Sequence, residues 1–175
     1  MNFLICQDWS NTSNNHAGIK YLCQQLERKY NEEYKTIVIP DYIGSQPFKH
    51  NRLTRKLNIW VAKLKFNIFI RKIIKRLYKE LKDGDNVFLL EYLEILAPQD
   101  KIALKLKKKC PGVKIYAMVH LIPRKLDNRF TDTMLKRWTE PIDKLITLGS
   151  SLTEYLVKRG IYKDKIITSF HYVDN

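Results

Sequence analysis

The stretch KIYAMVHLIPRK, residues 114–125, sets a run of strand-forming residues directly before a histidine, and Pro123 closes the run soon afterwards. An apolar run of this length with a breaker on either side (CPG upstream, Pro123 downstream) reads as a short buried strand over residues 113–119. His120 is then either a working residue at the mouth of a sheet or a core residue at a strand end. The kind of sheet decides between the two.

The same pattern recurs along the rest of the chain. Residues 2–6 (NFLIC) read as a first buried strand, followed by a polar loop, QDWSNTSNN. Residues 16–30 read as a helix, because Ile19, Leu22, Cys23, Leu26 and Tyr30 recur at helical spacing. A second strand spans Tyr34–Ile39 and stops at Pro40, and a third spans 86–90 (NVFLL). Residues 99–109 form a short basic helix that ends at CPG. A fifth strand is expected at 143–147 and a sixth at 165–170. Between them, residues 151–159 carry a helix with a capping-box signature, Ser151 and Glu154, and Gly160 just past its end. Short apolar strands alternating with helices predict an α/β, Rossmann-like, doubly wound and mostly parallel sheet with helices on both faces. Ligands of such sheets bind outside the carboxyl ends of the strands, the edge at which His120 falls.

The chain has 175 residues and an ordinary apolar fraction, which suits one domain over 1–175 with a sizeable core. No stretch has the ~20 apolar residues that a membrane span needs. The apolar start, MNFLICQDW, lacks both a basic segment and a cleavage site, so a signal peptide is not expected. Cys6, Cys23 and Cys110 have no metal-ligand spacing, and their scarcity suits a reducing, cytoplasmic compartment. Neither a metal nor a cofactor is expected.

The net charge of +14 is the unusual feature. It favours an anionic partner: nucleic acid, a membrane surface or a phosphate-bearing substrate; solubility alone is the plain alternative. Residues 49–82 hold twelve Lys and Arg against one acid, Glu80, which leaves +11 of that total. The helical wheel of this segment changes side. Leu53, Leu57, Trp60, Val61, Leu64 and Ile68 share one face, and Phe66, Phe69, Ile70, Ile73, Ile74, Leu77 and Leu81 share a face roughly opposite. One straight helix would have to bury both sides, so a break or sharp bend is expected between about residues 61 and 67. The second half then serves as the crossover into the third strand. The first half, 52–65, is an extra basic amphipathic helix suited to a membrane interface, with Leu57 and Trp60 toward lipid and Arg52, Arg55, Lys56 and Lys63 toward anionic head groups. Packing on the protein's own core is the alternative. Nucleic acid is disfavoured, because no known motif is present and the aromatic residues are expected on buried faces.

Few residues look equipped for chemistry. In SNNHAGIKYL, His16 sits at a strand-to-helix corner and Gly18 at a helix start, where free backbone N–H groups can hold a phosphate; an ordinary loop with an incidental histidine fits equally. Neither GxGxxG nor GxxxxGK[ST] occurs, which argues against a dinucleotide site and a P-loop. Glu91 and Glu94 follow the third strand, where a carboxylate can orient a sugar hydroxyl or act as a base, or simply lie exposed on a turn.

The order of HAGIKYL, MVHLIP, DKLITLGSSLTEYLVKRGI and KIITSFHYVDN resembles the N-terminal, acceptor-side domain of GT-B glycosyltransferases of the retaining type that build bacterial surface glycans. The resemblance covers nearly the whole chain. It implies two Rossmann-like domains with the active site between them, a nucleotide-sugar donor as co-substrate and a glycan or lipid-linked acceptor. It further implies peripheral attachment to the cytosolic face of the membrane through a basic helix such as 52–65. On this likeness His120 faces the transferred sugar, the Gly18 loop lies near the donor phosphates, and Ser150 and Ser151 cap a helix. Many relatives carry His-Asp where this chain reads His120-Leu121. The chain is expected to be inactive without a donor-binding half, whether a C-terminal domain or a partner chain. A non-catalytic module that binds nucleic acid or acidic partners through its basic face is the rival from another class.

Overall fold

The computed structural model describes residues 1–8, 17–42, 52–94 and 99–169. The strands are β1 (Asn2–Gln7), β2 (Tyr34–Ile39), β3 (Asn86–Tyr92), β4 (Lys114–Val119), β5 (Lys144–Leu148) and β6 (Ile166–Ser169). The helices are α1 (Ala17–Lys29), α2 (Arg52–Glu80), α3 (Asp100–Lys109), α4 (Pro123–Asp127), α5 (Asp132–Thr139) and α6 (Ser150–Lys158), with a short 3-10 turn at Lys163–Lys165. All six strands are parallel, in the order β2-β1-β3-β4-β5-β6. This is the Rossmann-like α/β sheet expected from the sequence.

Side chains alternate across the sheet because the strand period is two. Phe3, Ile5, Val87, Leu89, Ile115 and Ala117 meet the larger core with α2, α3, α5 and α6, while Leu4, Cys6 and Leu90 meet Cys23 of α1 on the other face. The strand order turns back between β1 and β3. A crevice opens at such a switch point, outside the carboxyl ends of the strands.

α2 corrects one expectation. It is a single helix of 29 residues with no break between residues 61 and 67. The sheet does not take both apolar faces of the wheel. One stripe is buried, Asn58, Ala62, Phe66, Ile70, Ile73 and Leu77, spaced three and four apart, and from Phe66 onward it packs in the core against the sheet. Small Ala62 and polar Asn58 fill the first turns of that stripe, so no bend is needed. Leu57, Trp60, Leu64 and Ile68 are left 45%, 59%, 42% and 55% exposed among lysines. The expected burial of aromatics therefore holds for Phe66 and fails for Trp60. The helix also outruns the sheet. Near its end, Glu80 pairs with Lys35 at the start of β2 at 3.3 Å, whereas Phe66 and Phe69 lie edge-on against Tyr42, past the end of β2, at 5.9 and 6.1 Å between ring centres. From Phe66 to Glu80 the helix crosses the sheet in ~21 Å at 1.5 Å per residue. Its first half overhangs the carboxyl edge.

The capping box is a second correction. α6 is entered through Gly149 at φ +117°, so it begins a residue early, at Ser150, and no side chain caps it. Its other end is as read. Gly160, at φ +84°, donates to the Val157 carbonyl and Ile161 to that of Leu156, the paired bonds of a Schellman turn. Helices α4 and α5 lie in a stretch for which the sequence suggested none. Their signals are Pro123 in the first turn of α4, and Thr131, whose hydroxyl accepts from the Met134 N–H, capping α5.

Candidate functional site

His120 directly follows β4 at the carboxyl edge and is half-buried. Its Nε2 lies 2.7 Å from the carbonyl oxygen of Leu90, in the neighbouring strand. A carbonyl can only accept, so Nε2 carries the hydrogen, and a neutral ring holds its lone pair on Nδ1. The β3–β4 register slips between Leu89 and Tyr92, and Leu90 lies inside the slip. Its carbonyl turns to the imidazole instead of continuing the ladder.

Beside it stands a buried polar knot at the switch point. Glu91 lies within β3 rather than after it, and it is 3% exposed rather than on an open turn. Its Oε2 accepts from the backbone N–H of Gln7 at 3.1 Å and from Gln99 Nε2 at 3.0 Å. Gln99 Oε1 accepts the Glu91 backbone N–H at 3.2 Å, and Gln99 Nε2 reaches the Ile5 carbonyl at 3.4 Å. Gln7 Nε2 donates to the Pro40 carbonyl at 3.1 Å, which ties in the end of β2. Buried amides and carboxylates are stable only when so partnered. Next along the chain, Leu93 holds φ +67° while 1% exposed, a conformation that costs a non-glycine residue about 1–2 kcal/mol. Glu94 then pairs with Arg129 at 3.5 Å. Asp100, the first residue of α3, has its carboxyl pushed above the usual range by burial.

The other expected site residues fall as follows. Gly18 is exposed in the first turn of α1, with no atom within 4 Å of where a side chain would start, so the backbone there is open to close approach. Two residues on, Lys20 pairs with Asp8 at 2.8 Å and ties that helix start to the end of β1. His16 lies outside the described residues. Lys56, Leu57, Trp60 and Lys63 are exposed on the overhanging half of α2; Arg52 and Arg55 belong to the same helix, and their side chains lie outside the described ones. The sequence reading missed Gln7, Gln99 and Leu93. Its only clue was position: Gln7 and Leu93 follow strand runs, and Gln99 opens a helix.

Among the described residues, one hollow of about 260 Å³ lies between the ends of α5 and α6, and another of about 390 Å³ lies around Met1, Lys35 and Asp85. Both lie at the amino edge of the sheet, away from His120. Among the described residues no helix is long and apolar enough to cross a membrane.

No family model matches the chain, and no curated protein matches its sequence. Solved structures do match it. One, described as lipopolysaccharide outer core galactosyltransferase WaaB in its apo form, aligns over 99% of this chain and 46% of its own length, with a TM-score of 0.59 and 16% identity. The chain thus spans about half the length of that enzyme. It shares with that GT-B glycosyltransferase the parallel Rossmann-like sheet, and at this identity the likeness is one of fold.

Proposed function

We propose that this chain is the acceptor-side half of a retaining GT-B glycosyltransferase that uses a nucleotide-sugar donor to extend a surface glycan. The observation that carries the reading is His120, held by a neighbouring strand at the carboxyl edge of a sheet whose fold matches half of a galactosyltransferase. From there the imidazole would orient the acceptor hydroxyl or take up its proton, as a neutral ring can near pH 7. The helix start at Gly18 would lie toward the donor phosphates and Glu91 would act from within the sheet. The donor half would come from a further domain or a partner chain.

The same reading puts the enzyme on the cytosolic face of a membrane, with a lipid-linked acceptor. In its support, the overhanging half of α2 offers Leu57, Trp60 and Leu64 among lysines on the side of the sheet where His120 lies. Aliphatic and Trp side chains among basic ones are the composition of an interfacial helix. Trp60 among lysines would also suit nucleic acid, so the test must separate the two.

The activity is tested by supplying labelled UDP- and GDP-sugars and bacterial glycolipids to the protein together with its donor half. Transfer to lipid is expected, and failure with every donor refutes the reading. Docking is tested by co-sedimentation with phosphatidylglycerol and with phosphatidylcholine vesicles. Binding selective for the anionic lipid, and lost in Leu57→Glu/Trp60→Glu, is expected. Binding that survives those changes, or binding to RNA or DNA alone, removes the membrane from the account.

A further inference from the structure

We propose that Gln99 positions His120 through the peptide group that joins Leu90 to Glu91, which makes Gln99 a positioning residue for the transfer. The inference rests on the reading of His120 given above. One amide is gripped at both ends. Its carbonyl, from Leu90, accepts the His120 Nε2–H at 2.7 Å, and its N–H, from Glu91, donates to Gln99 Oε1 at 3.2 Å. Hydrogen bonds at opposite ends of one amide polarise it in the same sense, so each strengthens the other. The register slip between Leu89 and Tyr92 is what makes this peptide available for the purpose.

Gln99 is built to hold one orientation. It is 0% exposed, and its Nε2 is committed to Glu91 Oε2 and the Ile5 carbonyl, both of which can only accept. Turning the side-chain amide over would set an NH2 against the Glu91 N–H and an oxygen against two others. The amide orientation therefore fixes the peptide, and the peptide fixes which ring nitrogen of His120 carries the hydrogen. Glu91 acts within this device as the anchor of Gln99, joining β1, β3 and the start of α3.

The test is nitrogen-15 NMR of the histidine rings in this chain, with His120 assigned by its loss in His120→Asn. In the wild-type protein the neutral His120 is expected as the Nε2–H tautomer alone. In Gln99→Met, which keeps the length and removes the amide, it becomes a mixture of both tautomers. The exchange Glu91→Gln/Gln99→Glu keeps an oxygen for the Glu91 N–H and should restore the single tautomer. In the transferase reaction Gln99→Met should lower kcat about tenfold to a hundredfold, as for partners that orient a working ligand, with KM changed less than about twofold. A folded Gln99→Met protein with an unchanged tautomer overturns the proposal. If that variant does not fold, wild-type hydrogen exchange decides: the His120 Nε2–H and the Glu91 amide must both be protected, and fast exchange of either overturns it. The ring readout does not depend on sugar transfer, so this proposal and the functional reading fail separately.

Discussion

The sharpest consequence of a straight α2 concerns two aromatic residues six positions apart. Phe66 is 4% exposed and Trp60 is 59% exposed, so truncating one empties the core and changing the other touches water. Phe66→Ala removes a buried ring that meets Tyr42, a change that costs about 3–5 kcal/mol. Against a total stability of about 5–15 kcal/mol, that takes a large share. At roughly 2–4 °C per kcal/mol for a domain of this size, the melting temperature should fall by about 6–20 °C. Trp60→Glu loses only side contacts and gains slightly in helix propensity, so it should stay within about 0.5 kcal/mol of wild type. Urea unfolding followed by circular dichroism measures both. A Trp60→Glu cost above about 2 kcal/mol, or a Phe66→Ala cost below about 1 kcal/mol, would mean that the core takes the other face of the helix, the packing alternative for residues 52–65.

Two further outcomes follow from the packing. Gly160→Ala forces a side chain into φ +84° with Lys136 Cε 2.7 Å from its Cβ, and calorimetry should find a loss of about 1–2 kcal/mol. Cys6 and Cys23 are both buried, and the Cys6 thiol is pushed up by its hydrogen bond with Cys23 and by burial, whereas Cys110 is partly exposed. A native thiol titration should therefore give one fast-reacting group, Cys110, with the other two reacting only on unfolding; three fast thiols would contradict the described core.

Much of the fold was legible because buried parallel strands are near-continuous apolar runs. Tyr34–Ile39 has the bounds expected of it, and β4 places His120 at the edge foreseen for it. The failures have physical causes. A helical wheel scores apolarity and does not know how close the sheet will come. It set Leu57, Trp60 and Leu64 on a face of their own and so called for a bend, whereas Asn58 and Ala62 continue the buried stripe along one unbroken helix. The entry to α6 went astray because a glycine at positive φ can start a helix without a capping side chain. The short α4 and α5 rest on one proline and one threonine cap, too little periodic pattern to stand out from a loop. At the site, His120 announced itself by its place after a strand. Gln99 did not, since a glutamine before a helix looks like any surface residue until the fold buries it against Glu91.

On the proposed function, His120 works at the carboxyl edge of this sheet, beside the group that reacts. Sugar transfer from a labelled nucleotide sugar is measured for the wild-type protein together with the donor half proposed for it, and for His120→Ala of unchanged stability. The account predicts a loss of about 10²–10⁴ in kcat, the range for a positioned acid-base group. Transfer at the wild-type rate by the folded variant would contradict it, and the histidine would then be no more than a strand-end residue bonded to the Leu90 carbonyl.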